Sequence, residues 1–214
     1  MFLALQHTYT TIEVGLFDDN ATSVDTIVID KTVASRELIP TLNTILERNN
    51  YALSDVHFIA VNKGPGPFTT LRVVIATVNG IAMATNIPLV AVDGLDTMLQ
   101  EHQTSAWPIT IVALNAFNND LYYAIQSPTV KEFGVKKAQE LAEQLATLFG
   151  NAPIRCIGNG VSMLQEAAGT RNIHIPADNP QHPSLVAIAQ QGLVQWQQKD
   201  VVHYVEPAYL KTAF

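Results

Sequence analysis

The chain has 214 residues, a formal net charge of −7 at pH 7 and a sequence pI of about 5.2. Charged residues make up 14% of it, against about 25% in ordinary soluble domains. Part of the surface is therefore either meant for a partner or simply polar and uncharged. Twelve basic residues against nineteen acidic ones, with no basic cluster, argue against direct binding of nucleic acid.

The cysteine count and the apolar segments exclude several further classes. Cys156 is the only cysteine, so neither an intramolecular disulfide nor a cysteine metal cluster can form. Met1–Gln6 lacks the basic region and long apolar stretch of a signal peptide. The longest apolar segment, Val73–Ala84, is too short for a membrane span and contains Asn79. We expect a soluble, cytoplasmic protein with no membrane contact.

The chain opens with patterns typical of strands. Alternating or apolar runs separated by short turns predict an antiparallel meander of Phe2–Gln6, Thr11–Phe17 and Thr26–Ile29. A helix follows, with Ser35 as its N-cap and apolar residues at helical spacing. Pro40 predicts that this helix is kinked or starts later.

Strands and helices then alternate, which predicts parallel pairing. The predicted strands are Val56–Val61 and Leu89–Val92, and the predicted helices are Thr69–Thr85 and Leu95–His102. Asn86 marks the exit of the first of these helices.

The second half repeats this kind of order less regularly. Its predicted elements are the strand pair Ile109–Leu114 and Leu121–Gln126, the helix Lys136–Phe149, the strand Ile154–Ile157 and the helix Ser184–Gln198. A link near residue 104 divides the chain into an N-terminal lobe, 1–104, and a degenerate C-terminal lobe, 105–214.

A glycine loop carries the strongest motif. It joins a buried strand to a long helix through Val61-Asn62-Lys63-Gly64-Pro65-Gly66-Pro67-Phe68-Thr69-Thr70-Leu71-Arg72. This resembles the Gly-Pro-Gly-Ser-Phe-Thr-Gly-Leu-Arg signature of the TsaB family, matched here by Gly64, Pro65, Gly66, Phe68, Thr69, Leu71 and Arg72. Further similar stretches are Ala34–Pro40, Gly80–Ala82, Val92–Leu95 and, near the end, Pro207–Lys211. Taken by residues alone, the loop is either a ligand loop or a tight turn that needs glycine.

The resemblance implies a fold and a function. The fold is α/β, an actin/sugar-kinase-like (ribonuclease H-like) duplicated fold of two lobes with a mixed sheet and the element order βββαβαβα. The implied function is that of a non-catalytic scaffold for TsaD, which transfers threonylcarbamoyl to the tRNA adenosine next to the anticodon. The implied partners are a TsaD-like paralogue, a TsaE-like ATPase through the complex, or a second copy of the chain, with tRNA held only indirectly.

The sequence departs from the family pattern where chemistry would be expected. Gln6 stands in place of an Asp near the end of the first strand, and an amide cannot balance the charge of a divalent cation. Pro67 and Thr70 replace the signature's Ser and second Gly, and Phe117 replaces the Arg of an Asp-Ala-Arg motif. We therefore expect no catalytic residue, no metal and no cofactor. A residual nucleotide pocket would lie near Asp93-Gly94 or Gly158-Asn159-Gly160.

The helix after the loop is apolar nearly all round, so it must be covered on more than one side. One stripe is formed by Leu71, Ile75, Val78 and Ala82, and a second by the small residues Ala76, Gly80 and Ala84. The family resemblance implies a partner interface at Arg72, Ala76, Gly80 and Ala84. Burial beneath the second lobe is the alternative.

Two other functions stay open. An active small-molecule kinase or ATPase of the same fold would need Asp18 or Asp93 to replace the missing carboxylate. A homodimeric structural protein would use the same helix. The six histidines show no i, i+4 pair typical of a helical metal site, and no Gly-x-Ser-x-Gly nucleophile motif is present.

Overall fold

A computed structural model describes residues 1–210 and divides the chain into two compact units. The first unit combines Met1–Thr97 with Ser184–Ala208, and the second combines Met98–Pro183 with the last described residues, Tyr209 and Leu210. The sequence-based division into 1–104 and 105–214 differs from this, because residues 184–208 return to the first unit. The apolar face of the last helix packs on the first sheet, and a pairing so distant in sequence leaves no local signal.

The first unit contains a five-stranded mixed sheet in the order β3-β2-β1-β4-β5. Its strands are β1 (Phe2–His7), β2 (Thr11–Phe17), β3 (Ser23–Asp30), β4 (Ile59–Asn62) and β5 (Leu89–Val92). Strands β1, β2 and β3 pair antiparallel, whereas β4 pairs parallel to both β1 and β5. The predicted meander and the predicted parallel pairing after it are both confirmed.

Helices cover both faces of this sheet. Helices α1 (Ala34–Arg48) and α2 (Phe68–Thr85) enclose the larger core on one face, and α6 (Leu185–Gln197) covers the other. A short 3₁₀ turn, Leu53–Asp55, leads into β4, and α3 (Gly94–Glu101) crosses the boundary between the units.

An aromatic stack fixes the contact between α6 and the first sheet. The Phe2 ring lies 5.6 Å from Phe17 and 4.4 Å from Phe58, and Trp196 of α6 lies 4.8 Å from Phe58, all between ring centroids. These distances are those of favourable stacked pairs. The core on this face therefore depends on α6.

The second unit repeats the order of the first. Its strands are β6 (Thr110–Asn115), β7 (Asp120–Gln126), β8 (Lys131–Lys137), β9 (Ile154–Ile157) and β10 (Ile173–His174), and its helices are α4 (Ala138–Phe149) and α5 (Val161–Ala168). The sheet order β8-β7-β6-β9-β10 matches β3-β2-β1-β4-β5, with the same antiparallel and parallel partners. The expected duplicated α/β fold with mixed sheets is confirmed.

Several local predictions need correction. Strand β8, helix α5 and strand β10 were not predicted, and α4 begins at Ala138 rather than at Lys136. Helix α1 starts at Ala34 behind Val33, not behind a Ser35 cap. It also continues through Pro40, which lies on the exposed side of the helix.

Helix α2 is unusually apolar for its exposure. Its 18 residues have a mean hydropathy of 1.4, and only 33% of them are buried. By length and composition alone it could cross a membrane, a test that core helices of water-soluble domains also pass. What distinguishes α2 is the apolar surface that the first unit leaves uncovered.

Candidate functional site

Helix α2 presents one buried and one exposed face. The predicted stripe Leu71, Ile75, Val78 and Ala82 is buried in the core of the first unit. The second predicted stripe, Ala76, Gly80 and Ala84, is exposed, as is Arg72. These residues, together with Met83, form the exposed α2 face.

The exposed α2 face is shaped for close approach. A Cβ added at Gly80 would find no atom of residues 1–210 within 4 Å, so the described part of the chain leaves the space above it open. Met83 is 84% exposed, and sequence reasoning missed it because it falls between the small residues. Small residues beside a flexible methionine allow a second helix to approach within about 8–10 Å.

Arg72 lies at the N-terminal end of this face. A positive charge there opposes the helix macrodipole by about 0.3–1 kcal/mol. Its guanidinium carbon lies 5.5 Å from the centroid of the Phe68 ring, a distance at which a cation is attracted to an aromatic face. The aromatic contact offsets part of the dipole cost and keeps the side chain on the exposed side.

The glycine loop Gly64–Pro67 is a tight, internally bonded turn. Gly64 adopts a φ of +108°, its N–H donates to Asn62 Oδ1 at 2.9 Å, and its carbonyl accepts from Gly94 N at 3.0 Å. A Cβ on Gly94 would lie only 2.6 Å from the same Asn62 oxygen. The buried Asn62 side chain therefore sets the turn, and its neighbours must be glycine.

The first turn of the chain fills the other side of this loop. A Cβ on Gly66 would lie 2.2 Å from His7 Cε1, so the imidazole ring packs directly against the loop backbone. Gln6 is fully buried and donates to Glu13 Oε2 at 2.7 Å, and the Thr8 hydroxyl bonds Thr11. The residues present do not fit a nucleotide phosphate, because His7 takes the volume against the loop and Gln6 supplies no carboxylate for a metal.

The corresponding loops of the second unit are also internally bonded. Gly158 N donates to Asn179 Oδ1 at 2.9 Å, and Asn179 Nδ2 donates to Gly158 O at 3.1 Å. Asn159 Oδ1 accepts from Asn115 N at 2.8 Å. Phe117, 50% exposed, begins a hairpin tip at positive φ. Side-chain amides therefore already bond the backbone groups of this loop, where a residual nucleotide pocket was expected.

The remaining reactive side chains are dispersed. Among residues 1–210, no three His, Cys, Asp or Glu side chains are grouped as a metal site requires. His174 stacks on Trp107 with 4.5 Å between centroids, and His57 Nδ1 lies 3.3 Å from the N-terminal amine. Burial raises the pKa of the Cys156 thiol to about 12, which keeps it protonated and unreactive.

The fold and the site together define a class of protein. It is a duplicated α/β protein with two mixed sheets of the same strand order, in which a packed turn follows the fourth strand of the first unit and the apolar helix after that turn keeps one face exposed.

Comparison with known proteins gives the family. Residues 32–154 match the family model of TsaD, described as tRNA N6-adenosine threonylcarbamoyltransferase. The chain therefore belongs to this family. Relatives that match this chain over most of their own length are TsaB proteins.

Two of these relatives are named "tRNA threonylcarbamoyladenosine biosynthesis protein TsaB". The Bacillus subtilis protein is 24% identical over 99% of this chain and 94% of its own length. The Buchnera aphidicola protein is 23% identical over 81% of each chain. A solved Pseudomonas aeruginosa structure, described as similar to the peptidase YeaZ, has a TM-score of 0.76 at 21% identity over 98% of this chain and 99% of its own. It supports the fold.

Proposed function

We propose that this chain is a non-catalytic subunit that supports a TsaD-type enzyme in threonylcarbamoylation of the tRNA adenosine next to the anticodon. The observation that carries the proposal is the exposed α2 face, an apolar surface on a chain whose full-length relatives are named for this modification. In this proposal Arg72, Ala76, Gly80 and Ala84 contact the paralogous enzyme.

The site chemistry supports the non-catalytic part of the proposal. Phosphoryl transfer needs space for phosphate and a carboxylate that holds the metal. His7 occupies the space against Gly66, and Gln6 is bonded to Glu13. Contribution through binding, rather than through chemistry at this loop, accounts for both features.

The charge of the chain supports an indirect contact with tRNA. Twelve basic against nineteen acidic residues give a net charge of −7, which repels a polyanion. The enzyme partner would hold the tRNA, and the TsaE-like ATPase would join through the complex. The chain would act in the cytoplasm, where tRNA is modified.

The test is co-expression with the TsaD-type paralogue of the same organism, followed by mass measurement with size-exclusion light scattering. The wild-type chain should form a stable heteromer. Gly80→Leu should abolish it, because the new side chain fills the space that a partner helix needs. The same variant should fold normally, because a Cβ at that position meets no atom of the described residues within 4 Å.

Gly80→Ala is the matched control. It adds one methyl group on the same face and should reduce binding far less than leucine. A heteromer with Gly80→Leu as stable as the wild type would overturn the interface assignment. No heteromer with the wild-type chain, even with the ATPase added, would overturn the scaffold function.

A homodimer through the same face is the second candidate function. The observation that favours it is the spacing of Ala76, Gly80 and Ala84 at i, i+4 and i+8, which lets two copies of α2 cross closely. A dimer that loses half its mass on Gly80→Leu, with the paralogue eluting separately, would support this candidate instead.

A further inference from the structure

The last described part of the first unit, residues 201–208, crosses its surface as a strap. Val202 and Leu89 exchange both backbone hydrogen bonds, at 2.8 and 2.9 Å, and this single bridge covers the first residue of the free edge of β5. Further along, Ala208 N donates to Lys63 O at 2.8 Å and reaches the glycine loop. Between these ends the strap passes over α2.

Asn79 fastens the strap to α2. Its Nδ2 donates to Val205 O at 3.0 Å and its Oδ1 accepts from Val205 N at 2.8 Å. The Val205 side chain is 1% exposed and belongs to the core that α2 shares with the sheet. An amide side chain offers a donor and an acceptor at once, which explains a polar residue in the middle of an apolar helix.

The strap borders the exposed α2 face. Residues three and four apart are neighbours on a helix surface, so Asn79 lies beside Ala76 and Met83, next to Gly80. Tyr204, which precedes the fastened Val205, is 65% exposed. The strap therefore forms one wall beside the surface on which a partner helix would lie.

We infer that the strap is part of the partner-binding surface, with Tyr204 as a contact residue and Asn79 as the positioning residue that holds the strap in place. This inference rests on the proposed function. The partner is an apolar helix of the TsaD-type paralogue, which would lie on Ala76, Gly80 and Met83 and pack one edge against the Tyr204 ring. Tyrosine suits this role because aromatic residues are enriched at interface cores.

The strap is also a segment that can open locally. It is held by a few backbone and amide hydrogen bonds and by one buried valine, and such segments open at far lower free energy than a whole domain. When it opens, the wall beside α2 is lost. Binding of the partner would then depend on the fraction of molecules in which the strap is closed.

The experiment measures two quantities on the full chain, hydrogen exchange of the strap amides and affinity for the purified paralogue. Asn79→Ala should speed exchange at Val202 and Val205 at least about tenfold and raise Kd by about tenfold. Tyr204→Ala should raise Kd by a similar factor while strap exchange stays as in wild type.

Val186→Ala is the control for side-chain truncation. Val186 is 42% exposed on α6, on the other face of the sheet, and its variant should leave both quantities unchanged. Faster strap exchange in Asn79→Ala with wild-type affinity would overturn the inference, and so would wild-type affinity of Tyr204→Ala.

Gly80→Leu separates this inference from the proposed function. If Gly80→Leu abolishes binding while Asn79→Ala and Tyr204→Ala bind as wild type, the interface on α2 stands and the strap inference fails alone. If Gly80→Leu binds as wild type, the interface assignment fails and the strap inference falls with it.

Discussion

The two units share a strand order but treat the helix after the fourth strand differently. In the first unit, β4 leads through Gly64–Pro67 into α2, which has 18 residues and an exposed apolar face. In the second, β9 leads through Gly158–Gly160 into α5, which has eight residues. Helix α5 buries Val161 and Leu164 and exposes polar residues. One topology therefore supports a helix with an exposed apolar face in one copy and a short helix with an exposed polar face in the other.

The turns before these helices differ in what holds them, and the sharpest test is Gly158→Ala. Gly158 has a φ of +113°, and a Cβ there would lie 2.2 Å from the backbone oxygen of Ala113. Neither the backbone strain nor this clash can relax, so we expect the free energy of unfolding to fall by roughly 3–5 kcal/mol. Thermal unfolding measures it, and a loss below 1 kcal/mol would contradict the packing described for β6 and β9.

The first unit's turn should be more forgiving, which Gly66→Ala tests. The atom met at 2.2 Å is His7 Cε1, part of a side chain that can move. We expect Gly66→Ala to lower the free energy of unfolding by about 2 kcal/mol. The double variant His7→Ala/Gly66→Ala should be more stable than the sum of the single changes by 1 kcal/mol or more. Strict additivity in denaturant unfolding would show that His7 does not occupy this space.

Gly80→Ala should move stability in the opposite direction. The position lies inside α2 with open space around it, so alanine should stabilise the isolated chain by about 1 kcal/mol. A melting temperature that rises marks Gly80 as a residue kept for something other than folding. A melting temperature that falls would mean that the α2 face is covered within the chain.

The smallest expected effect concerns the link between α1 and β3. Arg48 donates to the Asp25 carboxylate and holds its pKa at about 2, below the ordinary value of 3.8. Because the folded pKa is lowered, the stabilisation is present above the unfolded pKa and is lost as pH falls towards 2. Asp25→Asn should lower the free energy of unfolding by up to about 1 kcal/mol at pH 7. Chemical unfolding from pH 7 to 2 should show the difference between wild type and variant shrinking. A difference that is constant with pH would contradict this ion pair.

The sequence predicted the first unit better than the second for physical reasons. Strands β2 and β5 match their predictions residue for residue, because apolar alternation and flanking turns are clear there. Strand β8 was missed because its sequence, Lys-Glu-Phe-Gly-Val-Lys-Lys, is mostly polar at a sheet edge. Helix α5 is too short for a clear period, and β10 has only two residues.

For the candidate site, local pattern was informative and long-range contact was not. Helical spacing alone predicted the two stripes of α2, but it left open whether the stripe of small residues is exposed or buried. The packing of His7 on Gly66 and of the strap on Asn79 joins segments far apart in sequence, so no local pattern contains it. Asn79 gave a faint signal, because it is a polar residue in an apolar helix. The sequence did not indicate that its partner is Val205.

The return of residues 184–208 to the first unit has a consequence for synthesis on the ribosome. The aromatic stack of Phe2, Phe17 and Phe58 stays without its cover until Trp196 has been added. The main part of the second unit, 98–183, is synthesised before that point. Although domains usually fold from the N-terminus onward as they emerge, the unit translated first here must wait for α6, and until then nascent-chain chaperones would meet its exposed aromatic face.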